Sequence, residues 1–490
     1  MLPTFQSQHG RPDESDEEQP LLLASNDYKS RSRRYFDTPL VIKEIIFILG
    51  YSWPLLVTYL VGTANKLVDA WFLGRLGAHV MAVVSLGQLW STVAGVAIGS
   101  GLLSAIDTLV AQAFTAAQNS TTLGIILQRG LAIMAIFSTA VITLWMFANP
   151  ILVAMGQASD LAQDTQLYLY IILPTVYPVF VSTAVRKFMQ ALGEMRVTMY
   201  MMMPLFPLSC LTAFIFLDRW NLGIVGAACH FLTYHSLILV TYVTFLCYGT
   251  QFRSKYWPGW SKQAFHRWHE FLKLGIPGML SGASDWAFEV CALLSGTLAK
   301  TSLAGQSIIL SVNSFLLMIP LALSNAASVR IGHLLGAHRP DKIKTCIHAT
   351  CILGLAIATT NVTLMFTFRN AIANHFSHET NVIEAAIDLM PIACLSHFFT
   401  GIGSIFSGTL NAFGKQPVVC SVNLVSYYII GVPLGFYLGR TMGISLNGIW
   451  AGFAIAAVLK ATWEAIILAN MDWELECRRT SRRISEQELP

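Results

Sequence analysis

Residues 275–296 read GIPGMLSGASDWAFEVCALLSG, and this stretch decides the fold. As a helix it is about 33 Å long, enough to cross the hydrocarbon core of a bilayer. Asp285 and Glu289 stand four residues apart within it, on one helical face. A carboxylate at the bilayer centre costs roughly 3 kcal/mol on insertion scales, so it should face a protein-lined cavity rather than lipid. Gly278, Ser281, Gly282, Ala283 and Ser284 are small enough to let a helix or a solute come close. Glu289 then reads as a structural acid hydrogen-bonded between helices, or as a site for protons and cations. Intramembrane ionisable groups are functional by default, which favours the second reading.

Composition points the same way. Of 490 residues, 54% are hydrophobic and 12% charged, against about 25% charged in a soluble domain. The apolar runs are continuous over about 20 residues rather than alternating, which selects helices over a barrel. A net charge of +4, scattered along the chain, gives no nucleic-acid footprint. The nine cysteines mostly lie in apolar runs without CxxC or His-paired metal spacing, and read as core residues. No GxxxxGK[ST] loop and no Ser/His/Asp arrangement is present, so neither an enzyme nor a cofactor is expected.

Residues 1–42 read as a disordered cytosolic tail, with an acidic run from Asp13 to Glu18 and a basic run from Lys29 to Arg34. Within it Glu17, Leu21 and Leu22 have the form of an acidic dileucine sorting signal, a pattern that chance also produces. Apolar spans follow at about 43–72, 79–111, 122–149, 163–190, 197–217 and 223–249. A basic, aromatic linker at 251–271 leads to a second set at about 272–298, 302–335, 343–368, 383–410, 417–439 and 446–470, and 471–490 is a second cytosolic tail. The expectation is an all-α polytopic membrane protein of about 12 helices in two six-helix bundles, 43–250 and 272–470. Lys and Arg concentrate in the tails, the linker and the even-numbered connections, so the positive-inside rule predicts both termini in the cytosol.

The two sets are copies. Ala105-Ile106-Asp107 through Ala116 recurs as Ala326-Ala327-Ser328 through Ala337, and Gln190-Ala191-Leu192-Gly193 as Asn411-Ala412-Phe413-Gly414, both 221 residues on. An even number of helices per copy gives both the same orientation, related by a pseudo-twofold axis along the membrane normal. The solute path is then expected between the bundles.

Few polar residues lie inside the spans. Asp69 is either neutralised by Lys66 on the same helix face or is the first copy's proton site. Asp107 fits helix-end capping or packing, and Arg129 fits snorkelling at a helix end. Lys460 and Glu464 are spaced to neutralise each other. His397 is more simply a hydrogen-bonded core residue than a proton site, and Pro174 and Pro178 bracket Tyr177 in a bent helix. Trp286, Tyr177, Gln306, Asn313, His397 and Thr400 are the candidate cavity residues.

Several stretches in order resemble the multidrug and toxic compound extrusion (MATE) family of the eukaryotic type: Leu73-Gly74-Arg75-Leu76-Gly77, Ala105 through Phe114, Gly124 through Arg129, Phe288-Glu289-Val290, Gly305-Gln306-Ser307, Ala326 through Gly332, and Asn423 with Tyr427 through Pro433. The resemblance spans about residues 43–470. It implies antiport of organic, mostly cationic compounds against protons or sodium, by two bundles rocking about a central cavity. Glu289 stands at the family's helix-7 glutamate and Asp69 at the helix-1 aspartate of bacterial members. Thr400 stands where the family usually has a helix-10 acid, and Asp285 is the residue placed to compensate. A lipid-linked oligosaccharide flippase of the same superfamily is the alternative, opposed by the few intramembrane cations available for a pyrophosphate. The expected partners are the lipid bilayer and small organic cations, the working unit a monomer, and the location a vacuolar, lysosomal or plasma membrane.

Overall fold

The computed structural model describes residues 38–249, 254–257, 259–282 and 300–488. Every regular element in it is helical. The first set contains α1 (Thr38–Arg75), α2 (Ala78–Ala116), α3 (Thr121–Met146), α4 (Ser159–Ala191), α5 (Met195–Arg219) and α6 (Gly223–Tyr248). The second contains α7 (Trp268–Gly282), then α8 (Ala304–Gly336), α9 (Pro340–Thr367), α10 (Thr380–Ala412), α11 (Gln416–Thr441) and α12 (Ser445–Ala469). Eleven helices among the described residues are long and apolar enough to span a membrane. The expected seventh span is described only as far as Gly282.

Local chemistry shapes these helices. α1 carries Pro54 and α4 carries Pro178, and the hydroxyls of Thr58 and Ser182 donate to the carbonyls of Pro54 and Pro178 at 2.8 and 2.7 Å. Such hydroxyls satisfy themselves on their own helix, so the spans tolerate them in an apolar setting. α4 tightens to a single 3₁₀ turn at Leu173–Thr175, beside Pro174. The fifth helix of each set widens into π-helical turns, at Phe214–Arg219 in α5 and at Leu424–Gly431 and Tyr437–Thr441 in α11. α4 and α10 end alike on Gly193 and Gly414, at φ +88° and +76°. In each, the glycine N–H bonds back three residues and the next N–H five, a left-handed cap that a side chain at that position would strain.

The two sets exchange their opening helices. Val41, Ile48 and Leu55 of α1 are buried in one cluster with Leu323, Ile331, Leu335 and Ile343 of α8 and α9. Phe271 and Leu274 of α7 are buried with Leu102, Ile106 and Leu127 of α2 and α3. Small residues allow the second crossing: a Cβ on Gly101 would lie 2.5 Å from the Met279 Cα, and one on Gly275 would lie 2.6 Å from the Leu102 carbonyl. The linker docks as well, with Gln128 of α3 accepting from the Ser261 N–H at 2.9 Å and donating to the Gly259 carbonyl at 2.7 Å.

Residues 473–488 form a further helix, α13 (Trp473–Glu488). Cys477, Thr480 and Ile484 are buried beneath it while Arg478, Arg479 and Arg482 are exposed. The segment read as a tail is therefore an amphipathic helix packed on the ends of α2, α8 and α9.

Candidate functional site

In the first bundle, Asp69 does not pair with Lys66, which is exposed. Its carboxylate meets His230 Nε2 of α6 at 3.0 Å. The other ring nitrogen of His230 lies 3.0 Å from Thr212 Oγ1, and that hydroxyl lies 2.9 Å from the Ser209 carbonyl. Thr212 can donate to Ser209 and accept from Nδ1, or donate to Nδ1; in either case one proton lies between Nε2 and the Asp69 carboxylate. His230 is buried and Asp69 partly exposed, with side-chain exposures of 6% and 24%. Asn65 donates to the Tyr234 hydroxyl at 2.5 Å one turn away.

In the second bundle the geometry is different. His397 Nδ1 lies 2.7 Å from Asn313 Oδ1, and its Nε2 lies 3.2 Å from the Asn361 amide nitrogen. An acceptor on Nδ1 and a donor on Nε2 fix a neutral ring with its proton on Nδ1. A second ring proton would cost the Asn361 bond. The structure thus brings Asn313 and His397 together. Gln306 is fully buried with neither side-chain polar atom paired among the described residues, and the Thr400 hydroxyl is likewise buried without a partner among them.

Tyr177 stands elsewhere. It lines an apolar cavity of about 600 Å³ with Leu127, Val181, Val243, Trp257 and Trp260, and no second-bundle candidate reaches that cavity. Asp285, Trp286 and Glu289 lie outside the described residues, as do Glu17, Leu21 and Leu22.

Arg129 differs from its sequence reading, and the Lys460–Glu464 pair is more deeply buried than its spacing alone indicates. Arg129 is only 3% exposed, so it does not snorkel to solvent. Glu464 is fully buried and accepts from Ser407 Oγ at 2.8 Å, with Lys460 also buried one turn away. Of the acids described in the second bundle's spans, Glu464 alone is fully buried. Its i,i+4 spacing from Lys460 is a common surface pattern, and nothing in the sequence distinguishes a buried pair from an exposed one.

The bundles are tied together on the side that carries Thr38, the linker and α13. Glu44 of α1 takes Arg330 of α8 in a two-point contact at 2.9 and 2.7 Å. Thr108 donates to the Asn411 carbonyl at 2.8 Å, Gln112 to Ala412 at 2.6 Å and Thr115 to His333 at 2.7 Å. His333 meets the Ala191 carbonyl at 2.8 Å, and Asn325 donates to the Tyr59 hydroxyl at 2.6 Å. Asp107 pairs with Lys187 at 2.5 Å beside a polar cavity of about 160 Å³ between the bundles. Arg483 of α13 reaches Gln112 Oε1 at 3.2 Å. Burial draws that guanidinium below its usual range, while Glu270 and Glu476 oppose the shift. The outermost inter-bundle hydrogen bond described is from Thr63 to the Met318 sulfur, at 3.5 Å.

A protein built this way, two homologous bundles with polar groups held inside each, matches known proteins over most of its length. The MatE family model matches twice, at residues 54–215 and 283–437, once in each set of helices. Multidrug and toxin extrusion protein 1 of Danio rerio is 29% identical over 433 residues, covering 88% of this chain and 73% of that protein. The human protein of that name is 27% identical over 439 residues, covering 89% and 76%. An uncharacterised transporter of Schizosaccharomyces pombe is 28% identical over 457 residues, covering 91% and 84%. Among solved structures, the eukaryotic MATE transporter AtDTX14 has a TM-score of 0.84 at 22% identity, covering 91% of this chain and all of that one. The repeated family match, the shared length and the common fold together make this chain a member of the MatE family, a eukaryotic-type MATE transporter.

Proposed function

We propose that the protein is a secondary active antiporter. It exports organic, mostly cationic compounds in exchange for protons; the relatives are named for multidrug and toxin extrusion. The observation that carries this reading is the Asp69–His230–Thr212 chain. It is a half-buried intramembrane carboxylate whose contact geometry has room for one exchangeable proton and which an organic cation would favour in its ionised form. Glu289, with Asp285 beside it, is the corresponding pair in the second bundle. Proton and cation compete for the same carboxylates, and each weakens the binding of the other.

The hydrogen bonds that close the bundles on one side support alternating access, with that side shut in this arrangement. The basic tails and linker support a cytosolic position for it, and so an outward-open form. The membrane is vacuolar, lysosomal or plasma membrane, and the monomer is the working unit. The scarcity of cations inside the spans weighs against a pyrophosphate-linked flippase.

The test is uptake of a fluorescent organic cation by proteoliposomes under an imposed pH gradient, without ATP. Uptake that follows the proton gradient, and collapses with a protonophore, is the expected result. Uptake indifferent to the gradient, or driven equally by sodium alone, overturns proton antiport.

A further inference from the structure

α13 contains the run Arg478-Arg479-Thr480-Ser481-Arg482-Arg483-Ile484-Ser485. The pattern Arg-Arg-x-Ser occurs in it twice, four residues apart, about one helical turn. Thr480 and Ile484, the x positions, are buried, and Ser481 and Ser485 are exposed. Four arginines on a membrane-flanking helix need no explanation beyond the positive-inside rule. That rule, however, does not call for a serine at the same register after each pair. Nor does it account for Arg483 turning inward. Its guanidinium stands where a Cβ on Gly414 would fall 2.6 Å from Nη1, and it donates to Gln112 at 3.2 Å. Gln112 in turn donates to the Ala412 carbonyl at 2.6 Å. A helix of the second bundle's end thereby holds a first-bundle residue onto α10.

We propose that Ser485 is a phosphorylation site for a protein kinase that selects arginines two and three residues before the acceptor, and that its phosphate releases the Arg483–Gln112 tie. The γ-phosphoryl group of ATP passes to Ser485 Oγ: the new O–P bond forms, the bond to ADP breaks, and the hydroxyl proton leaves to the kinase's base. The guanidiniums of Arg482 and Arg483 supply the charge pattern that such a kinase reads. Ser485 lies in the last turn of α13, where backbone carbonyls lack helical partners and the turn opens most easily to an enzyme.

A phosphate there carries about −1.5 to −2 charges at the helix's negative end. It also meets Glu486, which already holds Arg482 at 2.8 Å. Like-charge repulsion and the dipole both loosen the turn that contains Arg483. The consequence is a weaker closure of the bundles on this side, and hence control of the transport cycle from outside the substrate path. The proposal draws on the orientation argued above because ATP must reach this side in a cell. The test does not, because purified protein exposes both sides.

Full-length protein in nanodiscs is incubated with the catalytic subunit of cAMP-dependent protein kinase and Mg-ATP, then analysed by peptide mapping and hydrogen–deuterium exchange. Phosphate is expected on Ser485. Exchange should accelerate on the order of tenfold in α13 and around residues 411–416, the ratio for loss of one hydrogen bond to a charged group. Ser485→Ala should remove both effects with unchanged thermal stability, and Arg483→Gln should reproduce the faster exchange without kinase. No phosphate on Ser485, phosphate confined to Ser481, or phosphate on Ser485 without faster exchange at 411–416 would each overturn the proposal.

Discussion

Gln112 and His333 make the same contact from opposite bundles. Gln112 on α2 donates to the Ala412 carbonyl at 2.6 Å, and His333 on α8 meets the Ala191 carbonyl at 2.8 Å. The two side chains are 221 residues apart in sequence, and so are the two carbonyls. Both carbonyls lie at helix ends, where the backbone has no partner of its own. The second helix of each bundle therefore caps the fourth helix of the other. Between the two contacts Ala111 faces Gly332, again 221 apart, and a Cβ on Gly332 would lie 2.7 Å from the Ala111 Cβ. The pseudo-twofold axis passes between them.

Breaking either cap should open this side. Gln112→Leu and His333→Leu each leave a buried carbonyl unpaired, a cost of about 1–3 kcal/mol to the closed form. Gln112→Leu should cost more, since Arg483 loses its acceptor as well. Spin labels at the ends of α4 and α10 should show a longer distance component in both variants. Distributions identical to wild type would remove these residues from the closure.

His230 and His397 should behave oppositely. His230→Gln removes the proton-carrying partner of Asp69 and should shift the pH profile of transport. His397→Gln, in a ring already satisfied by Asn313 and Asn361, should lower stability and leave the profile in place. Asp69→Asn should remove the His230-dependent limb. Equal shifts in both histidine variants would contradict the assigned proton positions.

Glu289→Gln should abolish gradient-driven cation transport while leaving folding and insertion intact. Asp285→Asn should move the pH optimum of transport, because Glu289 then loses an acidic neighbour four residues away. Normal exchange rates in Glu289→Gln would sink the reading of the second bundle.

Gly414→Ala should be more damaging than its partner in the repeat. Both glycines have positive φ, which strains any side chain by about 1 kcal/mol or more. Both methyl groups meet the far end of a side chain, the Arg483 guanidinium at Gly414 and the Tyr51 hydroxyl at Gly193, and displacing the guanidinium also breaks its bond to Gln112. Thermal unfolding followed by intrinsic fluorescence should rank Gly414→Ala below Gly193→Ala and wild type.

The spans and the duplication were legible because they are local or periodic: apolar runs set length, and a constant spacing of 221 marks the copies. What a residue meets across a helix interface is not periodic. Lys66, three residues from Asp69, is the partner that helical spacing proposes, but α1 turns Lys66 outward and Asp69 toward His230, 161 residues away. Inter-helix rotation decides such pairs, and no pattern within one helix reports it. α13 is the opposite case. Trp473, Cys477, Thr480 and Ile484 recur at three- and four-residue spacing among arginines, an amphipathic signal masked by the charge around it.

The exchanged opening helices bear on how the protein is made. α1 leaves the ribosome first, yet its buried face, Ile48 and Leu55, fits against residues of α8 and α9 synthesised more than 250 positions later. The first six helices likewise lack the wedge of Phe271 and Leu274 until α7 has followed them. Neither bundle can complete its core in the translocon alone. Assembly must wait for most of the chain, with α1 held in lipid or by a chaperone meanwhile. The same interlocking that joins the halves thus removes the option of building them one at a time.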